Sequence, residues 1–196
     1  MKFRPILFSA PMVQAILAGH KTQTRRAITI PEIVRDESGA DGTCIQWVQD
    51  HEAGPTWAAF LADYPEEGSV PIRCRYGAPG DGLWVREAFS FSREHSLDIP
   101  WYWADGNPEH GDWTRPKPSI HMPRWASRIS LEVTAVRCER LQEISHDDAC
   151  AEGIPSERGG KFACIARYRA LWESINGEGS WDLNPWVWVV AFKRLA

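Results

Sequence analysis

The segment Pro185-Trp186-Val187-Trp188-Val189-Val190-Ala191-Phe192 decides the fold class. Side chains alternate across a strand, so Trp186, Trp188, Val190 and Phe192 fall on one face and Val187, Val189 and Ala191 on the other. Working outward, Ile129–Val136 repeats the pattern, with Ile129, Leu131, Val133 and Ala135 sharing a face. Leu83–Phe89 does so again, with Leu83, Val85, Glu87 and Phe89 opposite Trp84, Arg86 and Ala88. Ile72–Tyr76 and Trp101–Ala104 are shorter candidate strands, and a turn over Gly77–Gly82 separates the first of these from Leu83.

Few helices interleave with these strands. Ser9-Ala10-Pro11 is a helix start with Pro in the first turn, Val13, Ile16 and Leu17 lie at i, i+3 and i+4, and Gly19 ends the helix. Lys21–Ile30 reads as an exit loop and strand stopped by Pro31. Ser145-His146-Asp147-Asp148 is a capping box whose short helix ends at Gly153. Phe162, Ile165, Tyr168, Arg169, Trp172 and Ile175 mark a longer amphipathic helix, stopped by Asn176-Gly177. The class is therefore α+β: a small, mostly antiparallel sheet curled into a barrel, with flanking helices. Two stretches punctuated by Gly and Pro, 31–70 and 90–118, are insertions into a single domain spanning 1–196.

Composition narrows the function classes. With 22 Lys and Arg against 26 Asp and Glu the net charge is −4, which argues against a broad DNA-coating surface but leaves room for a local basic groove. No apolar run approaches the ~20 residues of a membrane span, and Met1-Lys2-Phe3-Arg4-Pro5 lacks the apolar stretch of a secretion signal, so a cytoplasmic location without membrane attachment is expected. Cys44, Cys74, Cys138, Cys150 and Cys164 are odd in number and contain no CxxC pair, which fits buried thiols in a reducing compartment. His146, Asp147, Asp148 and Cys150 raise the question of a metal. Capping accounts for the acids and no second ligand cluster converges in sequence, so no metal and no cofactor are expected.

The densest polar cluster is Gly19-His20-Lys21-Thr22-Gln23-Thr24-Arg25-Arg26. Cations there suit a helix C-terminus or a solvated face, and two hydroxyls beside three cations also suit a loop that binds an anion or a nucleotide. From Ile16 to Arg26 the segment resembles the signature of ASCH domains, small β-barrels of the PUA-like superfamily. Gly80-Asp81-Gly82-Leu83-Trp84-Val85-Arg86-Glu87 and the closing strand Trp186–Lys193 are similar to further pieces of that pattern. Over nearly its whole length the chain resembles the longer, phage-associated ASCH proteins, through His121–Arg128, Ala151–Ile154 and Asn184–Trp188.

A compact branch of that family comprises N4-acetylcytidine amidohydrolases, and the resemblance implies a catalytic set. Its Lys and Thr correspond to Lys21 and Thr24, and its Glu to Glu152, with Glu143 and Asp148 nearby. Amide hydrolysis needs a nucleophile, a base and a donor for the oxyanion. Thr24 supplies a hydroxyl. Lys21, drawn down by burial and by Arg25 or Arg26, could take its proton or, left charged, hold the oxyanion. Glu152, at a helix C-terminus where the dipole disfavours a carboxylate, suits a proton shuttle. In a straight strand Lys21 and Thr24 would point to opposite faces, so the mechanism demands a turn near Lys21-Thr22.

Candidate substrate contacts are Arg26, Arg86, Arg124, Arg128 and Trp84. Arg124 and Arg128 are four apart and could share a helical face, and Arg86 and Glu87 sit on opposite strand faces, one toward the site and the other paired or in water. Trp84 and Trp125 could stack on a base or fill a core. The expected activity is deacylation of a nucleoside or RNA base such as N4-acetylcytidine. A non-catalytic reader of modified RNA, an ASCH-type ribonuclease, or an accessory protein acting through protein contacts are the rivals.

Overall fold

The structure is a computed structural model that describes residues 1–29, 43–50, 54–61, 70–94, 99–155 and 160–195. The chain opens with strand β1 (Phe3–Leu7), helix α1 (Ala10–Leu17) and strand β2 (Gln23–Ala27). A hairpin of β3 (Thr43–Asp50) and β4 (Gly54–Leu61) follows, then β5 (Val70–Ile72), β6 (Gly82–Arg86), β7 (Phe89–Phe91) and β8 (Pro100–Tyr102). The long β9 (Ser130–Arg140), helices α2 (His146–Ala151) and α3 (Gly160–Asn176), and β10 (Trp186–Arg194) complete it. The architecture is mixed α+β with mostly antiparallel sheets and few helices. No helix among the described residues is long and apolar enough to cross a membrane.

The main sheet has the order β1-β6-β9-β10-β2, antiparallel except where β1 runs parallel to β6. It is open, which corrects the expected barrel. Among the described residues its edge strands β1 and β2 share no backbone ladder; the Arg26 guanidinium instead donates to the Leu7 carbonyl at 2.7 Å, a side chain standing where backbone pairing would close the sheet. The chain reaches β2 only after α1, whose Met12, Val13 and Ile16 are buried under the sheet.

The alternation of β10 works on both faces. Trp188, Val190 and Phe192 join Leu131, Val133, Leu83 and Val85, the apolar side of α1, and Ile45, Ala59 and Ile72 from a second sheet of order β3-β4-β5. Val187 and Val189 face the other way, onto Tyr168 and Trp172 of α3 and Leu141, Ile144 and Ala149 around α2. Covering a strand on both sides takes consecutive side chains out of water, at about 1.5–3 kcal/mol for each large apolar side chain. A bulge interrupts the β9–β10 ladder, since Ala191 pairs with Ala135 and Phe192 with Val133, leaving Thr134 as the extra residue.

Three local expectations are corrected. Leu83–Phe89 is not one strand: β6 ends at Arg86, and the chain leaves the main sheet so that Phe89, Ser90 and Phe91 pair with β8. The reason lies at Glu87, a carboxylate 2 % exposed that turns to meet Arg128 at 2.9 Å. Ile72–Tyr76 is strand only to Ile72, where β5 ends, and Cys74 to Gly77 form a hydrogen-bonded turn. Arg124 and Arg128 share no helical face, because Pro123 and Ser127 bound a single 3₁₀ turn over Arg124–Ala126. The stop expected at Pro31 lies outside the described residues.

Candidate active site

The site begins where α1 ends. Gly19 takes φ of +76°, a left-handed conformation suited to glycine, and the amides of His20 and Lys21 turn back to the Ala15 carbonyl at 2.8 and 3.0 Å. Regular strand resumes only at Gln23. The intervening residues are pinned from both sides: Lys21 forms an isolated antiparallel bridge with Glu152, and Thr22 donates to Ala151 at 2.8 Å while its carbonyl accepts from Phe192 at 2.8 Å. The break before Gln23 lets Lys21 and Thr24 both be buried near Glu152.

Glu152 is delivered by α2. Ser145 caps that helix by accepting from the Asp148 amide at 3.0 Å, the Ser145 amide donates to the Asp148 carboxylate at 3.3 Å, and Glu152 is the C-cap residue. Gly153 then turns at φ of +90°. A Cβ there would stand 3.0 Å from the Ala15 Cβ and 3.1 Å from the Lys21 Cβ, so only glycine lets α2 end this close to α1.

Lys21 is 2 % exposed and Glu152 4 %. The Lys21 ammonium donates to Glu152 Oε2 at 2.7 Å and to the Glu152 carbonyl at 2.9 Å. Arg25 approaches the other carboxylate oxygen at 3.4 Å, Asp148 at 3.2 Å and Glu139 closer still. Arg137 bridges Glu139 and Asp148 at 2.9 and 2.7 Å, and Gln23 donates to Asp148 at 3.0 Å. Lys21, Arg25 and Arg137 thus balance Glu152, Glu139 and Asp148, and burial without pairing would be prohibitive. Burial lowers the Lys21 pKa from its usual 10.5, and the Glu152 carboxylate opposes the shift.

Beside this network lies a cavity of about 420 Å³, between the edges β1 and β2 and the face of α3. Thr24, Arg26 and Glu152 line it, with Phe8, Tyr168 and Trp172 as aromatic wall. Thr24 is 1 % exposed, and its hydroxyl has no hydrogen-bond partner among the described residues. Arg26 stacks over Phe8 at 5.3 Å and donates to the carbonyls of Leu7 and Arg25. Lys21 lies behind Glu152 rather than in the wall, its ammonium 5.6 Å from the Phe8 ring. Burial holds the Tyr168 hydroxyl protonated by raising its pKa.

The other sequence-derived candidates lie elsewhere. Arg86 donates to the Met122 carbonyl at 3.1 Å and sits 5.1 Å from Trp84, which also receives Arg124 at 5.8 Å. Arg128 is held by Glu87 and by Asp105, at 2.9 and 2.6 Å, over the Tyr102 ring. None of Trp84, Arg86, Arg124 and Arg128 lines the cavity that holds Thr24 and Glu152. Glu143 is spent on the Arg140 amide at 2.9 Å. Trp125 stacks on Phe91, with ring centroids 5.3 Å apart, and is exposed.

Sequence reasoning missed Arg137, Glu139 and Gln23 as members of the network, and Phe8, Tyr168 and Trp172 as its aromatic wall. One signal existed for the first two: Arg137 and Glu139 are two apart near the end of a strand and so share a face, where a cation and a carboxylate under a packed helix require partners.

No family model matches the chain, and no curated protein matches it. Among solved structures, the high-resolution crystal structure of an ASCH domain from Lactobacillus crispatus JV V101 aligns with 98% of this chain and 79% of that one, at 15% identity and a TM-score of 0.39. At that distance the likeness assigns neither a family nor an activity to the chain.

Proposed function

We propose that the chain is an amidohydrolase that removes an acyl group from the exocyclic amide of a modified nucleobase, N4-acetylcytidine being the model substrate. One observation carries the reading: an unpartnered, buried hydroxyl, Thr24, shares a cavity with a carboxylate, Glu152, that is itself locked to a buried amine, Lys21. A volume of about 420 Å³ is within the range of small-ligand sites, and aromatic walls suit a planar base.

In this mechanism Thr24 Oγ attacks the acyl carbon and its proton passes to the Lys21–Glu152 pair. The C–N bond then breaks, and the leaving amine takes that proton. Water, deprotonated by the same pair, cleaves the Thr24 ester to release the carboxylic acid and restore the hydroxyl. Burial lowers the Lys21 pKa, which weakens its hold on a proton and supports exchange between the amine and its partner. Arg26 faces the cavity and is bonded only to backbone carbonyls among the described residues, so it is the cation available to substrate.

Purified protein is incubated with N4-acetylcytidine, free and within a short RNA, and acetate release is followed. Turnover that falls at least ~100-fold in Glu152→Gln supports the reading. Wild-type protein that releases no acetate from either form overturns it.

A second reading has an observation of its own. Lys21 is committed twice to Glu152 and does not reach the cavity wall, an arrangement that also suits a rigid, non-catalytic base-binding pocket. Tight binding of the acetylated base without product selects that reader.

A further inference from the structure

Helix α2 carries a second cluster of reactive side chains, on the side away from the Glu152 carboxylate network. His146 and Cys150 are four apart and therefore share a helical face, and the Cys150 sulfur lies 3.8 Å from His146 Nε2. The fold adds what the sequence alone does not show. Helix α3 brings Cys164 to the same point, so that one donor atom from each of the three residues lies within 4.8 Å of the other two. We propose that His146, Cys150 and Cys164 bind a thiophilic divalent metal ion of the zinc class, fastening α2 to α3.

The spacing fits. With metal–sulfur bonds of about 2.3 Å and metal–nitrogen bonds of about 2.0–2.1 Å, tetrahedral ligand atoms stand roughly 3.5–3.8 Å apart. The His146–Cys150 pair already has that separation, and Cys164 needs to close by at most about 1 Å, within the reach of a side-chain rotation. Among the described residues, the Cys164 sulfur is otherwise engaged by a weak 3.9 Å contact to the Pro155 carbonyl. The ligand nitrogen is Nε2, which faces Cys150, and the neutral imidazole then carries its proton on Nδ1, which is buried with no hydrogen-bond partner among the described residues.

Charge fits as well. Two thiolates and a neutral imidazole around a divalent cation sum to zero, which suits Cys164, 1 % exposed among Leu141, Ile144 and Ala149. On binding, Cys150 and Cys164 each give up a proton to solvent, sulfur lone pairs form the two metal–sulfur bonds, and nothing is oxidised or reduced. The fourth position falls to solvent. A cavity of about 350 Å³ lined by Cys150, His20, Gly153, Ile154 and Pro155 supplies the entry path. Carboxylates play no part, because Asp148 is held by Gln23, Arg25 and Ser145. The ligand class is therefore soft, zinc rather than magnesium or calcium.

The probe is Co²⁺, titrated into full-length protein that has been stripped of metal with a chelator and kept in a non-thiol reductant. The expected result is equimolar binding with a thiolate-to-cobalt charge-transfer band and intense tetrahedral visible bands, bleached by equimolar zinc, with release of about two protons per ion. Because Cys164→Ser could fail to fold, the half-buried positions serve as variants: Cys150→Ala and His146→Gln should each weaken cobalt binding by at least ~100-fold. No thiolate band, or a band that survives in both variants, overturns the proposal. So does a Cys150–Cys164 disulfide in protein purified without reductant if that protein, once reduced, still fails to take cobalt. Acetate release plays no part in the readout, so a failed amidohydrolase assay leaves this test standing.

Discussion

Replacing Thr24 by Val exchanges one buried hydroxyl for a methyl group of nearly the same shape and keeps a β-branched residue in β2. The Thr24 hydroxyl has no partner among the described residues and is shut from water, so the folded protein carries its desolvation penalty, about 1–3 kcal/mol. Removing it stabilises the substrate-free protein by about 1–2 kcal/mol, since a methyl group is at home in that wall. For a chain of this length each kcal/mol moves Tm by about 2–4 °C, giving a rise of about 2–8 °C. The same change deletes the proposed nucleophile, and acetate release should drop at least ~1000-fold. Thr24→Ser is the control: it keeps the hydroxyl, loses a methyl worth about 1 kcal/mol, and should lower Tm while turnover persists. Differential scanning calorimetry and the acetate assay on all three proteins decide the matter. A Thr24→Val protein that melts below wild type, or one that still turns over at the wild-type rate, refutes the reasoning.

Lys21→Met leaves the Glu152 carboxylate buried with Arg25 at 3.4 Å as its remaining cation, and should cost about 3 kcal/mol, at the low end for a broken buried pair, read from urea unfolding. Arg26→Ala should raise KM for the acetylated base at least ~10-fold because Arg26 faces the cavity. Arg86→Ala should leave KM within about 2-fold, because Arg86 lies against Trp84 and the Met122 carbonyl. Asp148 provides a pH signature. Burial pushes its carboxyl up, but hydrogen bonds from Gln23 and Ser145 and the Arg25 charge outweigh it and hold the group below the usual 3.8. Its stabilisation is therefore complete above about pH 4 and lost as pH falls through the folded pKa, and in Asp148→Asn the acid-unfolding curve should shift to higher pH.

Local rules were enough to read several elements from the chain. The alternation over Trp186–Phe192, the Ser145 capping box and the Gly19 stop each depend on residues within one turn or one strand of each other, and each is found in place. Lys21, Thr24 and Arg26 lie within six residues, so their nearness was settled by a single break before Gln23. The error over Leu83–Phe89 has the opposite origin: its alternation continues through Glu87, and only Arg128, forty-one residues on, reveals that the carboxylate turns inward to a partner.

What the sequence by itself determined is the α+β class, the ends of the helices and the polar loop that follows α1, because backbone conformation and side-chain alternation are short-range properties. What the tertiary structure alone decided is which charges meet. Strand order left the sheet open with a cavity at its edges, and the β10 register set Arg25 and Arg137 on either side of Val189. Packing of α3 on α2 placed Cys164 beside Cys150. Ion pairs and metal ligands depend on distances of a few ångströms between residues remote in the chain, and those distances exist only once the sheet is assembled and the helices are packed against it.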